Sequence, residues 1–243
     1  MIEVDGLVKT YGSVHAVSGL SFTVAKGEIL GLVGPNGAGK TTTLRCMTGI
    51  IPPTAGRIRI AGFDLLAQPV DAKRRLAFVP DEPRLFDYLT AWDHLMITSR
   101  LYAVADGAAR AESLLTEFEL GDRRHAFPSE LSRGMKQKLM VAMALLHRPE
   151  AILLDEPLTG LDPAAMRRMK TRIRDTAQSG VAVILSSHML HLVEELCERV
   201  VVVVKGKKVL DGTLDEIRKA SPGLAGDADL EAIFMKAIEG DAG

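Results

Sequence analysis

The chain has 243 residues, 47% of them apolar and 25% charged, and a formal net charge of −1. That length suits one large domain or a domain carrying an inserted subdomain, and the composition is ordinary for a globular protein. No global field favours nucleic acid or an anionic membrane, so no nucleic-acid partner is expected, and the longest strictly apolar run, residues 139–146, is far short of the ~18–20 residues of a bilayer span.

Residues 2–5 and 20–24 alternate apolar and polar positions like half-buried strands, with a turn expected at residues 9–12. The start of the chain lacks a basic segment followed by an apolar one, so no secretory signal is visible. Residues 28–33 read as a strand feeding a Gly-rich loop, and residues 41–48 can continue as a helix. Residues 57–60 alternate again, so this part predicts a small antiparallel layer beside the loop-feeding strand. From about residue 89 to 148 the β-type segments vanish. Leu114, Leu115, Phe118 and Leu120 recur there at near-helical spacing. We read this stretch as a helical subdomain inserted into an α/β core.

Residues 151–154 and 181–185 are short, continuous apolar runs, as in parallel strands buried on both faces. Residues 162–178 predict a crossover helix between them, with Pro163 in its first turn. Residues 200–204 and 207–210 read as a terminal hairpin. A Pro/Gly-rich stretch at 221–227 leads to a short helix within 230–238. The main domain is therefore expected over 1–220 and a tail over 221–243. The two cysteines, Cys46 and Cys197, have no metal-ligand spacing and read as buried thiols of a reducing cytosol.

The most informative segment is Gly34-Pro-Asn-Gly-Ala-Gly-Lys-Thr-Thr42. It fits Gly-x-x-x-x-Gly-Lys-[Ser/Thr], and strand, loop and helix occur in the required order. Glycines at 34, 37 and 39 permit dihedrals that turn backbone N–H groups inward, towards the positive end of the following helix. Lys40 would reach the terminal phosphates of a nucleotide, and Thr41 would ligate Mg²⁺. The apolar strand at 152–154 ends in Asp155 and Glu156. Asp155 suits the metal shell, and Glu156 can orient or deprotonate an attacking water. His188 follows the next apolar strand and could donate to a γ-phosphate oxygen. Ser132 and Gly134 place a hydroxyl and a bare backbone at a second helix N-terminus.

Together these segments resemble the nucleotide-binding subunits of the ATP-binding cassette family, over about residues 1–215. Residues 34–42 are similar to Walker A and residues 131–135 to the signature, with Arg133 where Gly is commonest and Met135 where Gln is commonest. Residues 152–156 are similar to Walker B with its catalytic Glu, residues 158–162 to the loop coupling two sites, and His188 to the switch histidine. The resemblance implies an α/β P-loop NTPase core with an antiparallel β subdomain and an inserted α-helical subdomain. It implies that Gly34, Asn36, Gly37, Ala38, Gly39, Lys40, Thr41 and Thr42 hold ATP, and that Tyr11 stacks on the adenine. Ser132 and Gly134 would meet the nucleotide of a second subunit. Asp81 stands where the family usually has Gln. It is a candidate for the Mg²⁺ shell beside Thr41 and Asp155, but it cannot donate a hydrogen bond as Gln can.

The implied protein is an ATP-hydrolysing subunit with ATP and Mg²⁺ as its cofactors. It would pair with a second such subunit, identical or different, and drive a permease of separate chains from the cytoplasmic face of the membrane. The loop from Asp81 to Trp92 is the expected docking surface. The wording Ser-Arg-Gly-Met-Lys-Gln-Lys and Asp81 are similar to exporter-type cassettes. The alternative is an ATPase of the same family serving an assembly machinery, such as an iron–sulfur cluster system.

Overall fold

The computed structural model describes residues 1–219 and 232–235. The chain opens with β1 (Ile2–Tyr11) and β2 (Val14–Val24), antiparallel from Ile2 opposite Val24 to Tyr11 opposite Val14. The turn is shorter than the sequence predicts. Lys9, Thr10 and Tyr11 stay in the strand because Gly12, at φ 58°, takes the left-handed step that a hairpin needs. Next come β3 (Ile29–Val33), α1 (Lys40–Met47), β4 (Ala55–Ile60), β5 (Phe63–Asp64), α2 (Pro69–Arg74) and β6 (Leu76–Val79). Three helices then follow without a strand: α3 (Ala91–Leu101), α4 (Gly107–Glu117) and α5 (Arg133–Leu146). The chain returns through β7 (Ala151–Asp155), α6 (Pro163–Gln178), β8 (Ala182–Ser187), α7 (Leu190–Leu196), β9 (Arg199–Val204), β10 (Lys207–Thr213) and α8 (Leu214–Lys219). The tail helix expected within 230–238 meets the described residues only at 232–235, which are helical; the Pro/Gly-rich stretch lies outside them.

Strands β2, β1, β4 and β5 form one antiparallel sheet. The second sheet has the order β10-β9-β3-β8-β7-β6, parallel except for the β9–β10 hairpin. Strands β3, β7 and β8 are buried at every residue, which explains why their sequences are apolar runs rather than alternations. Successive side chains still point to opposite faces. Ile152, Leu154, Val183 and Leu185 join the core shared with α3–α6, whereas Ala151, Leu153, Ala182 and Ile184 join the core shared with the antiparallel sheet. Two apolar layers thus clamp the parallel sheet, and its strand ends are correspondingly fixed.

Local signals set the helix starts. Thr90 and Asp93 form a reciprocal capping box at α3. Asp162 accepts from the amides of Ala164 and Ala165 at α6, with Pro163 following it. Ser132 caps α5 by accepting from Met135 N at 3.2 Å, so the helix begins at Arg133, ahead of the apolar run at 139–146. Helices α3, α4 and α5 pack through Leu95, Ala111, Leu114, Leu115, Leu139 and Ala142, all buried. Each such leucine contributes about 1.5–3 kcal/mol of burial. Among the described residues no helix is long and apolar enough to cross a membrane.

Cys46 and Cys197 are free and buried on opposite core layers. Burial raises both thiols, Cys197 to about 12. Because the thiolate is the reactive form, iodoacetamide at pH 8 is expected to leave both unlabelled in the folded protein and to label both in denaturant. Mass spectrometry of the native adduct checks this, and prompt native labelling of Cys197 would contradict its burial.

Candidate active site

The carboxyl ends of β3, β7 and β8 lie side by side. Val33 is in register with Ser187, and Asp155 with Ser186. A loop after β3 and acids after β7 must therefore meet at one end of the parallel sheet, where such sheets hold ligands.

The loop after β3 is tightly confined. A Cβ on Gly34 would lie 2.2 Å from the carbonyl oxygen of Val203, and one on Gly39 would lie 2.4 Å from that of Ala16. Gly39 also has φ 106° and serves as the N-cap of α1 without a side-chain cap. The first-turn amides of α1 have no partner within the helix, and no acidic side chain sits in that turn to neutralise its positive end. The Ala38 carbonyl accepts from Gly206 N at 2.9 Å, which ties the loop to the β9–β10 hairpin. These contacts hold an anion cradle open.

Lys40 is buried, and its Nζ donates to the carbonyls of Gly34 at 2.6 Å and Pro35 at 3.2 Å. Burial lowers its ammonium below the ordinary lysine range; Glu156 and Asp155 oppose that shift. Asp155 is 2% exposed and accepts from Ser186 Oγ at 2.5 Å. Glu156 takes the left-handed conformation at φ 49°, which costs a non-glycine residue about 1–3 kcal/mol. Its amide donates to the Ser186 carbonyl at 3.1 Å. Its Oε1 accepts from the His188 amide at 3.0 Å and lies 2.8 Å from His188 Nδ1, while Ser187 Oγ donates to Oε2 at 3.4 Å. The strand end thus fixes the carboxylate by three contacts and aims it out of the sheet.

One cavity of about 230 Å³ gathers Asn36, Gly37, Ala38, Gly39, Lys40, Thr41 and Thr42 with Asp81, Asp155 and Glu156; Ala16 completes its wall. An amide cradle, a buried ammonium, a hydroxyl and three carboxylates in one hollow can take a phosphate chain with a hard divalent cation. Among the described residues no group of three or more His, Cys, Asp or Glu side chains is arranged to hold a metal alone.

Other expected site residues lie outside that cavity. Gly34 sits behind it, packed on Val203. Tyr11 is half-exposed at the end of β1, with Lys9 Nζ 4.9 Å from its ring centroid. His188 reaches the site only through Glu156. Ser132 and Gly134 open α5, and Gly134 faces Gly160, whose carbonyl oxygen would lie 3.3 Å from a Cβ at 134. Three contacts were not legible in sequence. Ser186 and Ser187 stand beside the predicted histidine, and their hydroxyls hold the two acids. Arg133 Nη2 donates to Asp81 Oδ1 at 3.1 Å across 52 positions of sequence.

Comparison with known proteins agrees with this geometry. The ABC transporter family model matches residues 17–159. The Nod factor export ATP-binding protein I of Paraburkholderia xenovorans is 40% identical over 87% of this chain and 70% of its own length. The ABC-type transporter ATP-binding protein EcsA of Bacillus subtilis is 33% identical over 100% of this chain and 98% of its own. A solved ATP-binding subunit of an ABC transporter superposes with a TM-score of 0.92 at 35% identity, covering 98% of this chain and 99% of that one. The family model matches more than half of the chain, and the relatives' coverage extends through both sheets and the intervening helices: the chain belongs to the ABC transporter family.

Proposed function

We propose that this chain is the ATP-binding and ATP-hydrolysing subunit of an ABC transporter, with the ATPase unit over 1–220 and a separate tail at 221–243. The observation that carries the reading is the single cavity uniting the loop at 36–42, Lys40, Asp155 and Glu156. ATP and Mg²⁺ fit that donor set. The amides of the loop and the Lys40 ammonium suit phosphate oxygens, and Thr41, Asp155 and Asp81 supply the hard oxygens that magnesium takes together with phosphates. Magnesium there would neutralise charge on the transferring phosphoryl group.

The chain's own groups do the remaining work. Lys40 and the α1 amides orient the phosphates. Glu156 accepts a proton from, or orients, the attacking water, and His188 holds Glu156 while its ring can reach towards the γ-phosphate. Tyr11, half-exposed at the end of its strand with Lys9 over one face of its ring, would stack on adenine with the other face. Ser132 and Gly134 lie away from the cavity of their own chain. In a head-to-tail pair they would close over the nucleotide of the partner copy or of a different cassette. ATP binding would favour the closed pair and hydrolysis would release it. A permease of separate chains would convert closure into transport, with this subunit peripheral on the cytoplasmic side. The likeness to an ATP-binding protein of Nod factor export supports the export direction.

Purification of the tagged chain from its native membranes tests the coupling to transport. A multi-spanning membrane protein is expected to co-purify in stoichiometric amount. Recovery of the chain with a soluble assembly factor instead would favour the iron–sulfur type of ATPase.

A further inference from the structure

Asp81 and Arg133 form a charge-assisted hydrogen bond between the loop after β6 and the first turn of α5. Asp81 also lines the cavity that holds Lys40, Thr41, Asp155 and Glu156. Three carboxylates therefore face one ammonium there, and Arg133 is the cation that claims the third. The Arg133 side chain is itself positioned. It lies across Gly160, where an added Cβ would meet its Cδ at 3.2 Å and its Nε at 3.3 Å, and Gly160 keeps φ 79°. A side chain at 160 would crowd the Arg133 Cδ and Nε and would itself be strained at that positive φ.

We propose that Arg133 is a positioning residue for the nucleotide–metal site: it holds the Asp81 carboxylate in an ion pair and thereby sets how strongly that carboxylate draws a divalent cation to the phosphate cavity. The inference rests on the nucleotide reading above. A guanidinium and a divalent cation compete for the same carboxylate oxygens. While the pair is made, Asp81 contributes little net charge to the cavity. Once it is broken, the cavity gains one negative charge. Because both side chains are half-exposed, solvent screens this gain, and the expected effect is a shift in metal affinity rather than its creation. The pair also joins the α5 start, the residue 160 turn and the residue 81 loop, so metal affinity is linked to the placement of Ser132 next to it.

The test uses the full chain with the β,γ-imido analogue of ATP, titrated with Mn²⁺ and read by the loss of the free-ion electron paramagnetic resonance signal. Arg133→Ala is expected to lower the Mn²⁺ half-saturation concentration about three- to tenfold, the size of a partly screened unit charge. Arg133→Lys keeps a cation and should stay close to the unsubstituted chain. In an Asp81→Asn background, Arg133→Ala should change the half-saturation less than twofold, because the effect runs through Asp81 (about additive behaviour is the mark of independent sites). Equal shifts in both backgrounds, or no shift from Arg133→Ala, overturn the proposal while leaving the nucleotide reading standing. Failure of the unsubstituted chain to bind the analogue overturns both.

Discussion

Glu156→Gln is expected to cut steady-state ATP hydrolysis by about 10²–10⁴-fold, the range lost when a positioned general base is removed. Nucleotide binding should survive, because the loop at 36–42 and Lys40 are untouched by the change. The substitution is nearly isosteric. Gln retains an oxygen to accept from the His188 amide, so the left-handed backbone at position 156 keeps its support. What disappears is the charge that draws a proton from water. If closure of a head-to-tail pair precedes hydrolysis, the variant should accumulate as an ATP-bound dimer, visible by size-exclusion chromatography with light scattering. Hydrolysis at the unsubstituted rate would remove Glu156 from its role. A monomer with bound ATP would separate the hydrolytic role from the dimerisation cycle.

The local chemistry of the site was readable because it is contiguous. The glycine spacing at 34, 37 and 39 and the acids ending the run at 152–156 announce themselves within a few residues. So does the burial of β3, β7 and β8, since strands covered on both faces have no polar alternation to confuse with a helix. Strand β9 was legible for the same reason, and the Lys205-Gly206 turn marks β10, which is not buried, as its hairpin partner. Other elements were not. β5 spans Phe63–Asp64, too short for any periodicity, and α7 has the seven residues Leu190–Leu196. Both exist because of what they pack against. The long hairpin of β1 and β2 was underestimated because its outer positions mix polar and small residues, and cross-strand pairing supplies what local propensity does not. The Asp81–Arg133 pair was hidden for a simpler reason. Each residue departs from the family's usual wording, and only the fold brings the two departures together.

Lys40→Ala is expected to weaken ATP binding about 10–100-fold, the equivalent of losing one charge-assisted contact to phosphate. The fold should tolerate it. Removing the ammonium relieves a desolvation cost, while the Gly34 and Pro35 carbonyls lose their donor. These effects oppose each other, so a melting shift of only a few degrees is expected. The pH dependence of the unsubstituted chain carries a sharper signature. Burial lowers the Lys40 pKa below the ordinary lysine value, so in the interval between the two the unfolded chain binds the proton more than the folded one. The Lys40 contribution to stability therefore rises as pH climbs through that interval. Its contribution to phosphate binding does the reverse, because the neutral amine offers no charge. Calorimetric titration with ATP across alkaline pH should show affinity falling before exposed lysines titrate, and Lys40→Ala should flatten that decline. An identical decline in the variant would assign the loss to another group and leave Lys40 without its part in gripping the phosphates.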